Sequence, residues 1–472
     1  MDINSLRSPR SARAEIRESA MTTPAIAILG SGMAALGASH RLRSDGVSSV
    51  LYDKNPYHGG HTASHRSADF IFDEGPHVSF TKHERIRQLF AESIDHKYET
   101  IHAKINNYWR GYWLKHPAIC NLYGLPSDLV VNIVADFVKS QHRLDVPCRN
   151  YEDWLVASYG RTYAETFPMQ YTRKYHTTTA DNMSTDWLGP RLYQAKLEEV
   201  LLGALSPVTP NIHYVQEYRY PTHDGFASYL NRFSAQSQIV LNHRLVALDR
   251  KTRELHFSNG TVAAYDYLIS SVPLPDLISM ISETPADVLE AANKLACTSL
   301  VLINLGVNRP DISDTSWSYF YEDEYLFSRV SFPRTMSPHT VPPATGSIQA
   351  EVYFSRKYRP LERSAVDHIE PAIEGLRRCG LIREEDKILF QDAMVIPYAN
   401  IIFDLDREAS LRTVHGYLDD LGIAYCGRYG EWGYLWTDDA FMSGENAAQK
   451  ILNRMTSPPP APGQMTTPRQ AT

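Results

Sequence analysis

The chain has 472 residues, of which 43% are hydrophobic and 21% charged, and its net charge is −7. The length predicts roughly three domain-sized units, and the composition is that of a globular protein. An acidic balance gives no electrostatic reason to expect nucleic acid as a partner. Five scattered cysteines without a CxxC pair predict neither a disulfide framework nor a zinc site, so we expect no metal and a reducing, cytoplasmic setting.

Both ends of the chain are predicted to be disordered. Residues 1–22 carry arginines among serines, as transit peptides do, but their acidic residues and lack of an apolar core favour a disordered leader. Met21 is then a plausible start. Residues 455–472 are rich in Pro, Thr and Gln, a composition typical of a disordered tail. No apolar run reaches the ~20 residues that a membrane span needs.

The segment AIAILGSGMAALGASHRL carries the first functional motif. A short apolar strand turns at Gly30 and Gly32 and continues as a helix, with Ala35 at the third position of the motif. Such glycines allow a tight turn and let the backbone approach a pyrophosphate at the helix N-terminus. The next strand ends in Asp53, where an acid can bond a ribose. The predicted cofactor-binding residues of this segment are Gly30, Gly32, Met33, Ala34, Asp53 and Lys54.

The following segment, DKNPYHGGHTASHRSADFIFDEGPHVSF, bears on the choice between NAD and FAD. Gly59 and Gly60, followed by His61, come soon after the ribose acid. The segment resembles the flavin amine oxidase superfamily, which also holds protoporphyrinogen oxidase and UDP-galactopyranose mutase, and EGPHV is most similar to the mutase branch. The resemblance implies that FAD is the cofactor, that Gly59, Gly60 and His61 contact it, and that His77 lies against the isoalloxazine. A surface or core histidine is the alternative for His77.

The order of the segments from residue 25 to 452 is similar to the superfamily over nearly the whole folded chain. The resemblance implies an α/β fold with a Rossmann-like FAD-binding domain of the glutathione-reductase-like variant, an inserted mostly helical domain and a β-sheet substrate domain. The expected FAD-binding parts are 23–82, 206–280 and 401–454, the helical substrate or cap domain is 83–205, and the substrate-binding sheet domain is 281–400. The pattern SDLVVNIVADFVKSQH independently predicts an amphipathic helix in the cap.

Two further segments are assigned to FAD by the resemblance. In the short strands after YRYPTHDGFASYLNRF, Val246 falls where the superfamily touches adenine. In YCGRYGEWGYLWTDD, Gly427 and Arg428 fall at a glycine turn and helix N-terminus beside the flavin, and Tyr434 falls near both flavin and substrate phosphates. A purely structural aromatic cluster is the alternative for the second segment.

A nucleotide sugar needs a ring to stack on and guanidinium forks for its phosphates. By position, the mutase resemblance places Tyr171 near a uracil and Arg191 and Arg329 at the substrate diphosphate. Tyr398 and Tyr434 are implied to contact phosphate. The alternatives are half-buried packing or a surface charge for Tyr171 and Arg191, and ion pairing of Arg329 with Glu322, Asp323 or Glu324.

The sequence also departs from the mutase pattern. His176 stands where bacterial mutases carry a tryptophan, and Trp436 where they carry an aspartate, so the base and the sugar are open. The residues implied to bind substrate are Tyr171, His176, Arg191, Arg329, Tyr398, Tyr434 and Trp436. Those implied to carry the reaction are His77, Arg191, Arg329, Tyr398 and Tyr434.

The first functional hypothesis is an FAD-dependent nucleotide-sugar mutase that interconverts pyranose and furanose rings through a flavin N5–sugar adduct, without net redox. It implies reduced FAD, and therefore a flavin-reducing partner or NAD(P)H. The alternative is an FAD-dependent oxidase of the amine oxidase or protoporphyrinogen oxidase type that uses oxygen as acceptor. A flavin-binding scaffold without chemistry is the third hypothesis. The sequence leaves open the sugar, the reductant and the oligomeric state.

Overall fold

In a computed structural model of the protein, residues 25–141, 147–189 and 192–456 are described. The predicted leader and Arg191 lie outside the described residues, as does the predicted tail beyond Thr456. The last helix continues through Met455 and Thr456, the first two residues that the sequence assigns to the tail.

Nineteen strands are described along the three ranges above. They are β1 Ile26–Leu29, β2 Val50–Tyr52, β3 Ser64–Ser67, β4 Phe70–Asp73, β5 Tyr98–His102, β6 Ile105–Trp109, β7 Tyr112–Lys115, β8 Glu217–Pro221, β9 Gln238–Val240, β10 Leu245–Asp249, β11 Glu254–Phe257, β12 Val262–Ala264, β13 Tyr267–Ser270, β14 Thr298–Val307, β15 Trp317–Phe320, β16 Arg329–Ser331, β17 Gly346–Ser355, β18 Ile388–Ile396 and β19 Ala424–Tyr425.

The same ranges contain fourteen α-helices. They are α1 Met33–Ser44, α2 Glu84–Ser93, α3 Ser127–Gln141, α4 Tyr151–Tyr159, α5 Arg161–Thr166, α6 Pro168–Tyr175, α7 Leu197–Leu205, α8 Asn231–Ala235, α9 Leu274–Met280, α10 Ala286–Lys294, α11 Ile369–Arg378, α12 Arg407–Asp420, α13 Gly427–Gly430 and α14 Thr437–Thr456. None of the described helices is long and apolar enough to cross a membrane.

A five-stranded sheet in the order β19-β13-β1-β2-β9 brings together three distant parts of the chain. Every neighbouring pair in it is parallel. Helices α1 and α14 pack closely because both carry glycine at their contact: a Cβ on Gly37 would collide with the backbone of Phe441, and one on Gly444 with that of Ala34. The predicted α/β fold with a Rossmann-like domain is confirmed.

A seven-stranded sheet in the order β18-β14-β17-β16-β15-β6-β7 is the largest sheet among the described residues. Its long central strands β14 and β17 are antiparallel and almost entirely buried. Such continuous burial is expected for strands that are covered on both faces. The sheet positions Arg329 on β16 directly across from Glu351 on β17.

The structure differs from the prediction at the start of the segment that the sequence assigns to a mostly helical cap. Residues 98–115 form β5, β6 and β7, and the last two join the seven-stranded sheet. The signal was present in the sequence, because aromatic and β-branched residues flank a turn at Arg110 and Gly111, both with positive φ.

Helices α3 to α7 lie in the rest of the segment that the sequence assigns to a cap, and we refer to these helices as the cap. Helix α3 confirms the predicted amphipathic helix: Ile133 and Phe137 are fully buried, and Leu129, Val130 and Val134 pack against the same core. That core also takes Leu155 of α4 and Ala164 of α5. The cap is therefore anchored by its own apolar faces and presents α6 to the space between the two sheets.

Candidate active site

A cavity of about 1060 Å³ lies between the parallel sheet, the seven-stranded sheet and the cap. The carboxyl ends of β1 and β2 line one end of it, in the place where open α/β sheets bind ligands. Helix α6, strands β15 to β17 and residues 427–437 line the rest. A volume of this size, in a wall of mixed polar and aromatic groups, is that of a cofactor and substrate site.

The glycine turn leaves an open path for a backbone-bound anion. Gly30 has φ +101°, and a Cβ there would collide with Ser271. Gly32 lies against Gly59, whose N–H donates to the carbonyl oxygen of Ser31 at 3.0 Å. Gly32 is also the N-cap of α1. Because glycine has no side chain, the first backbone N–H groups of this helix receive no side-chain cap.

Asp53 directly follows β2 beside this turn and is 6% exposed. Its Oδ2 accepts hydrogen bonds from the backbone N–H of Ser31 at 2.8 Å and from the Ser31 hydroxyl at 2.6 Å. Its Oδ1 accepts from the backbone N–H of Asn55 at 2.9 Å. The carboxylate is thus held in one position at the cavity wall. We call Gly30, Gly32, Gly59 and Asp53 the dinucleotide cradle. Together with the uncapped N-terminus of α1, this cradle fits a dinucleotide.

Glu74 organises three side chains next to the cradle. It accepts hydrogen bonds from Tyr57 at 2.9 Å and from His65 at 3.0 Å, and His61 Nδ1 lies 3.3 Å from it. Burial by itself raises the pKa of Glu74, but its bonds to His61, His65 and Tyr57 outweigh burial and lower the pKa to about 2. An ionised Glu74 therefore fixes His61 at the cavity wall. The sequence prediction gave Glu74 no role.

His77 lines the same cavity. Its Nδ1 lies 2.9 Å from the carbonyl oxygen of Gly75, which makes Nδ1 the donor and leaves Nε2 as an acceptor. Burial is the main cause that lowers the pKa of His77 to about 4, and the positive charge of Arg428 adds to it. The ring is therefore neutral at neutral pH.

Arg428 lines the cavity, but several N–H groups of its guanidinium contact acceptors of the protein itself. Nε and Nη2 donate to the carbonyl oxygen of Leu435 at 3.0 and 2.7 Å, and the guanidinium lies 5.1 Å from the ring centre of Tyr434. Nη1 lies 3.4 Å from acceptors of Ala399 and Asn400. These bonds tie residues 427–437 to the segment that follows β18. Contact of Arg428 with FAD stays a prediction.

Arg329, which also lines the cavity, is paired with Glu351. Nε and Nη2 donate to the two carboxylate oxygens at 2.8 Å each, and Tyr353 donates to Oε2 of Glu351 at 2.5 Å. Glu351 is completely buried. The pairing acids considered from the sequence, at 322 to 324, are wrong, because the partner is set by the register of β16 and β17. This bidentate bond uses two of the five N–H groups of the guanidinium.

Tyrosines surround Arg329. Tyr171 stacks on Tyr175 with ring centres 5.1 Å apart, and the Tyr175 hydroxyl lies 3.0 Å from that of Tyr434. Tyr319 and Tyr353 also line the cavity. Burial raises the pKa of Tyr171 and Tyr175 well above the usual value, so both stay neutral. Sequence reasoning found Tyr171 and Tyr434 but missed the other three, which had no motif.

Most of the other predicted residues also line the cavity. Tyr398 does, with its hydroxyl donating to Asp276 at 2.6 Å. His176 lies 5.2 Å from Trp187, and its Nδ1 is buried without a hydrogen-bond partner among the described residues. The predicted residues found together at the cavity are Gly30, Gly32, Met33, Ala34, Asp53, Lys54, Gly59, Gly60, His61, His77, Tyr171, His176, Arg329, Tyr398, Gly427, Arg428, Tyr434 and Trp436.

Val246 is not among the residues that line the cavity. It is 48% exposed on β10, whereas Arg244 and Leu245, just before it, do line the cavity. Successive side chains of a strand point to opposite faces, so an offset of one residue moves a side chain away from the site. Arg191 lies outside the described residues.

The buried histidine at 176 predicts a pH dependence of stability. Burial lowers the pKa of His176 from 6.5 to about 3. The unfolded chain therefore binds a proton at this histidine more readily than the folded protein does, so the folded protein loses stability as the pH falls from 6.5 towards 3. When the pH is lowered from 7 to 4.5, we expect the unfolding free energy of the wild type to fall by about 2 kcal/mol more than that of His176→Phe. Urea titrations at both pH values measure this difference. His102→Gln, at an exposed position, should behave as wild type; equal losses in all three proteins would contradict the prediction.

Comparison with known proteins identifies the class of this fold and cavity. Residues 28–93 match the family of NAD(P)-binding Rossmann-like domains. A crystal structure of reduced UDP-galactopyranose mutase is 26% identical, with a TM-score of 0.86 over 92% of this chain and 97% of the other. A protein described as a protoporphyrinogen oxidase from Exiguobacterium sp. 255-15 is 15% identical, with a TM-score of 0.71 over 92% of this chain and all of the other.

A double mutant of putrescine oxidase is 14% identical, with a TM-score of 0.62 over 91% of this chain and 99% of the other. At these lower identities the two oxidases share the fold alone. The resemblance to the superfamily of flavin amine oxidases, protoporphyrinogen oxidase and UDP-galactopyranose mutase is confirmed. The class defined by the fold and the cavity is that of the flavoenzymes.

Proposed function

We propose that this protein is a cytoplasmic FAD-dependent nucleotide-sugar mutase, which interconverts the pyranose and furanose forms of a sugar without net redox. The observation that carries the proposal is the similarity to UDP-galactopyranose mutase over 92% of this chain, at 26% identity and a TM-score of 0.86. Arg329, which lines the same cavity as the dinucleotide cradle, agrees with it.

In this proposal the cradle of Gly30, Gly32, Gly59 and Asp53 holds FAD, with His61 and Arg428 beside it. Reduced flavin, when bound, supplies the electron pair that makes the exchange at the anomeric carbon possible without net oxidation. A flavin-reducing partner or NAD(P)H is therefore required. The protein itself binds, orients and excludes water.

The substrate end acts by placement and charge. Arg329 places its unused N–H donors against the leaving diphosphate, with Arg191 as the second cation. Tyr398 and Tyr434 hold phosphate oxygens, while Tyr171 and His176 take the base. A diphosphate kept within reach is recaptured when the sugar ring has reclosed. Neutral His77 shapes the flavin face, and no side chain in this scheme acts as an essential base.

The test is anaerobic incubation of the purified holoenzyme with UDP-galactopyranose and a small panel of other nucleotide sugars. Each reaction is run with the flavin oxidised and with the flavin reduced by dithionite, and products are separated by chromatography. We expect an isomer of unchanged mass, formed only with reduced flavin. If no sugar of the panel gives an isomer in either state, the proposal is wrong. Oxygen uptake with amines or porphyrinogens would then support an oxidase.

A further inference from the structure

Lys174 is a buried cation whose contacts link the cap to the seven-stranded sheet. It lies in the last turn of α6 and is 4% exposed. Its Nζ donates to the backbone carbonyl oxygens of Glu322, Tyr325 and Phe327 at 2.8 Å each, and that of Phe320 lies 3.3 Å away. These four oxygens belong to the last residue of β15 and to the segment that leads from it to β16. Through this side chain, the cap holds the backbone of the sheet.

An ammonium group is suited to this place, since it has three N–H donors and no acceptor. The three carbonyl oxygens at 2.8 Å use all three donors. Burial lowers the pKa of Lys174 to about 7, and the nearby carboxylates of Asp323, Glu322 and Glu324 oppose this effect. The carbonyl oxygens also favour the charged form, because a neutral amine has only two N–H groups. The bonds of Lys174 to the sheet backbone therefore depend on its charge.

The segment between β15 and β16, residues 321–328, leads directly to Arg329, and we call it the β15–β16 connection. Arg329 is the first residue of β16, which has three residues, and comes two positions after Phe327. The backbone N–H of Ser328 donates to the carbonyl oxygen of Glu351 at 2.9 Å. The end of the connection and the ion pair of Arg329 thus lie against the same residue of β17. A shift of the connection would therefore move the guanidinium relative to the cavity.

Helix α6 carries two of the tyrosines that surround Arg329. Tyr171 and Tyr175 line the cavity. Because residues three and four positions apart are neighbours on a helix surface, Tyr171, Lys174 and Tyr175 lie on one side of α6. Burial is the main cause that raises the pKa of both tyrosines, and the nearby positive charge of Arg329 opposes it. Lys174 therefore joins two elements whose side chains meet in this part of the cavity.

We propose that Lys174 is a positioning residue for the diphosphate site, by which we mean the part of the cavity at Arg329. Lys174 holds the β15–β16 connection against α6 and so places Arg329 beside Tyr171 and Tyr175. This inference rests on the proposed function, in which Arg329 meets the leaving diphosphate. Lys174 itself does not line the cavity, so it acts through the residues that it places and not by contact with the substrate.

The test is a double-variant cycle on the affinity of the holoenzyme for a nucleoside diphosphate, measured by titration calorimetry. The probe is whichever of UDP, GDP and dTDP the wild type binds most tightly. We expect Lys174→Met to weaken binding by about ten-fold and Arg329→Met by at least as much. Because Lys174 acts through Arg329, the double variant should bind no more than about two-fold more weakly than Arg329→Met alone. Lys174→Gln, which keeps two N–H donors, replaces Lys174→Met in the cycle if that variant folds poorly.

Arg309→Met is the matched control for a general loss of stability. Arg309 is also a cation that holds backbone, because it donates to the carbonyl oxygens of Asp311 at 2.6 Å and Leu381 at 2.8 Å. None of these three residues lines the cavity. The control should therefore keep its affinity for the probe within about two-fold of the wild type.

Wild-type affinity in Lys174→Met would overturn the inference and leave the proposed function standing. A double variant in which the two losses multiply would also overturn it, because Lys174 would then act on the fold as a whole and not through Arg329. If none of the three diphosphates binds to the wild type, or if Arg329→Met binds the probe as the wild type does, the diphosphate site of the proposed function fails. This inference then fails with it.

Discussion

Replacing Arg329 by methionine should abolish turnover by the holoenzyme, with kcat/KM falling by about 10²–10³-fold or more. A guanidinium aimed at a developing charge contributes about this much to transition-state stability. The same change leaves the carboxylate of Glu351 completely buried without its cation. Loss of one partner of a buried ion pair costs about 3–5 kcal/mol of unfolding free energy. Steady-state kinetics and denaturant titrations measure the two effects separately.

Arg309→Met is the matched control for Arg329→Met. Arg309 forms an equally direct ion pair with Asp386, at 2.8 and 2.9 Å, but it does not line the cavity. We expect it to lose comparable stability while the activity per folded molecule stays within about three-fold. A double variant, Arg329→Met with Glu351→Met, should regain stability without regaining activity, because it removes the unpaired charge. Activity of Arg329→Met close to wild type would remove the diphosphate role of Arg329.

Gly32→Ala should give a folded protein that has lost its flavin. A Cβ on Gly32 would lie 3.5 Å from the carbonyl oxygen of Gly59, which is an ordinary contact, and its φ of −79° suits alanine. The unfolding free energy of the apoprotein should therefore change by less than about 1 kcal/mol. The added methyl group stands where the diphosphate must approach the helix N-terminus, so we expect FAD affinity to fall at least about 100-fold.

Visible absorbance of the purified variant and fluorescence titration of the apoprotein with FAD measure this loss. Gly416→Ala is the control, because Gly416 lies exposed within α12 and a Cβ there meets no neighbour. It should keep its flavin and gain about 0.5–1 kcal/mol of stability. Full flavin content in Gly32→Ala would show that the cofactor does not approach this turn.

The two predictions concern parts of the cavity that differ in how far the sequence could predict them. The cradle around Gly32 was predictable from a short segment, because a glycine turn, a helix N-terminus and an acid at the end of the next strand depend on local conformation and spacing. Asp53 needs only two parallel neighbours, β1 and β2, to reach the turn at Ser31. The superfamily resemblance and the α/β fold were carried by such local segments.

The partners within the cavity were not predictable in this way. Arg329 is held by Glu351, and Tyr175 meets Tyr434 across 259 positions of sequence. His116 directly follows β7 and His213 comes shortly before β8, yet their rings lie next to each other. Strand register and the packing of the cap on the two sheets decide these contacts, and neither is encoded in any single stretch of residues.

The sequence by itself therefore determined the dinucleotide cradle and the class of fold, because the backbone conformations and spacings involved are local, and most of the site residues that it predicted line the cavity. The tertiary structure alone decided which acid pairs with Arg329, that Val246 does not line the cavity, and that the rings of His116 and His213 lie next to each other. These outcomes depend on which buried polar groups find a partner, and burial brings together groups that are far apart in the chain.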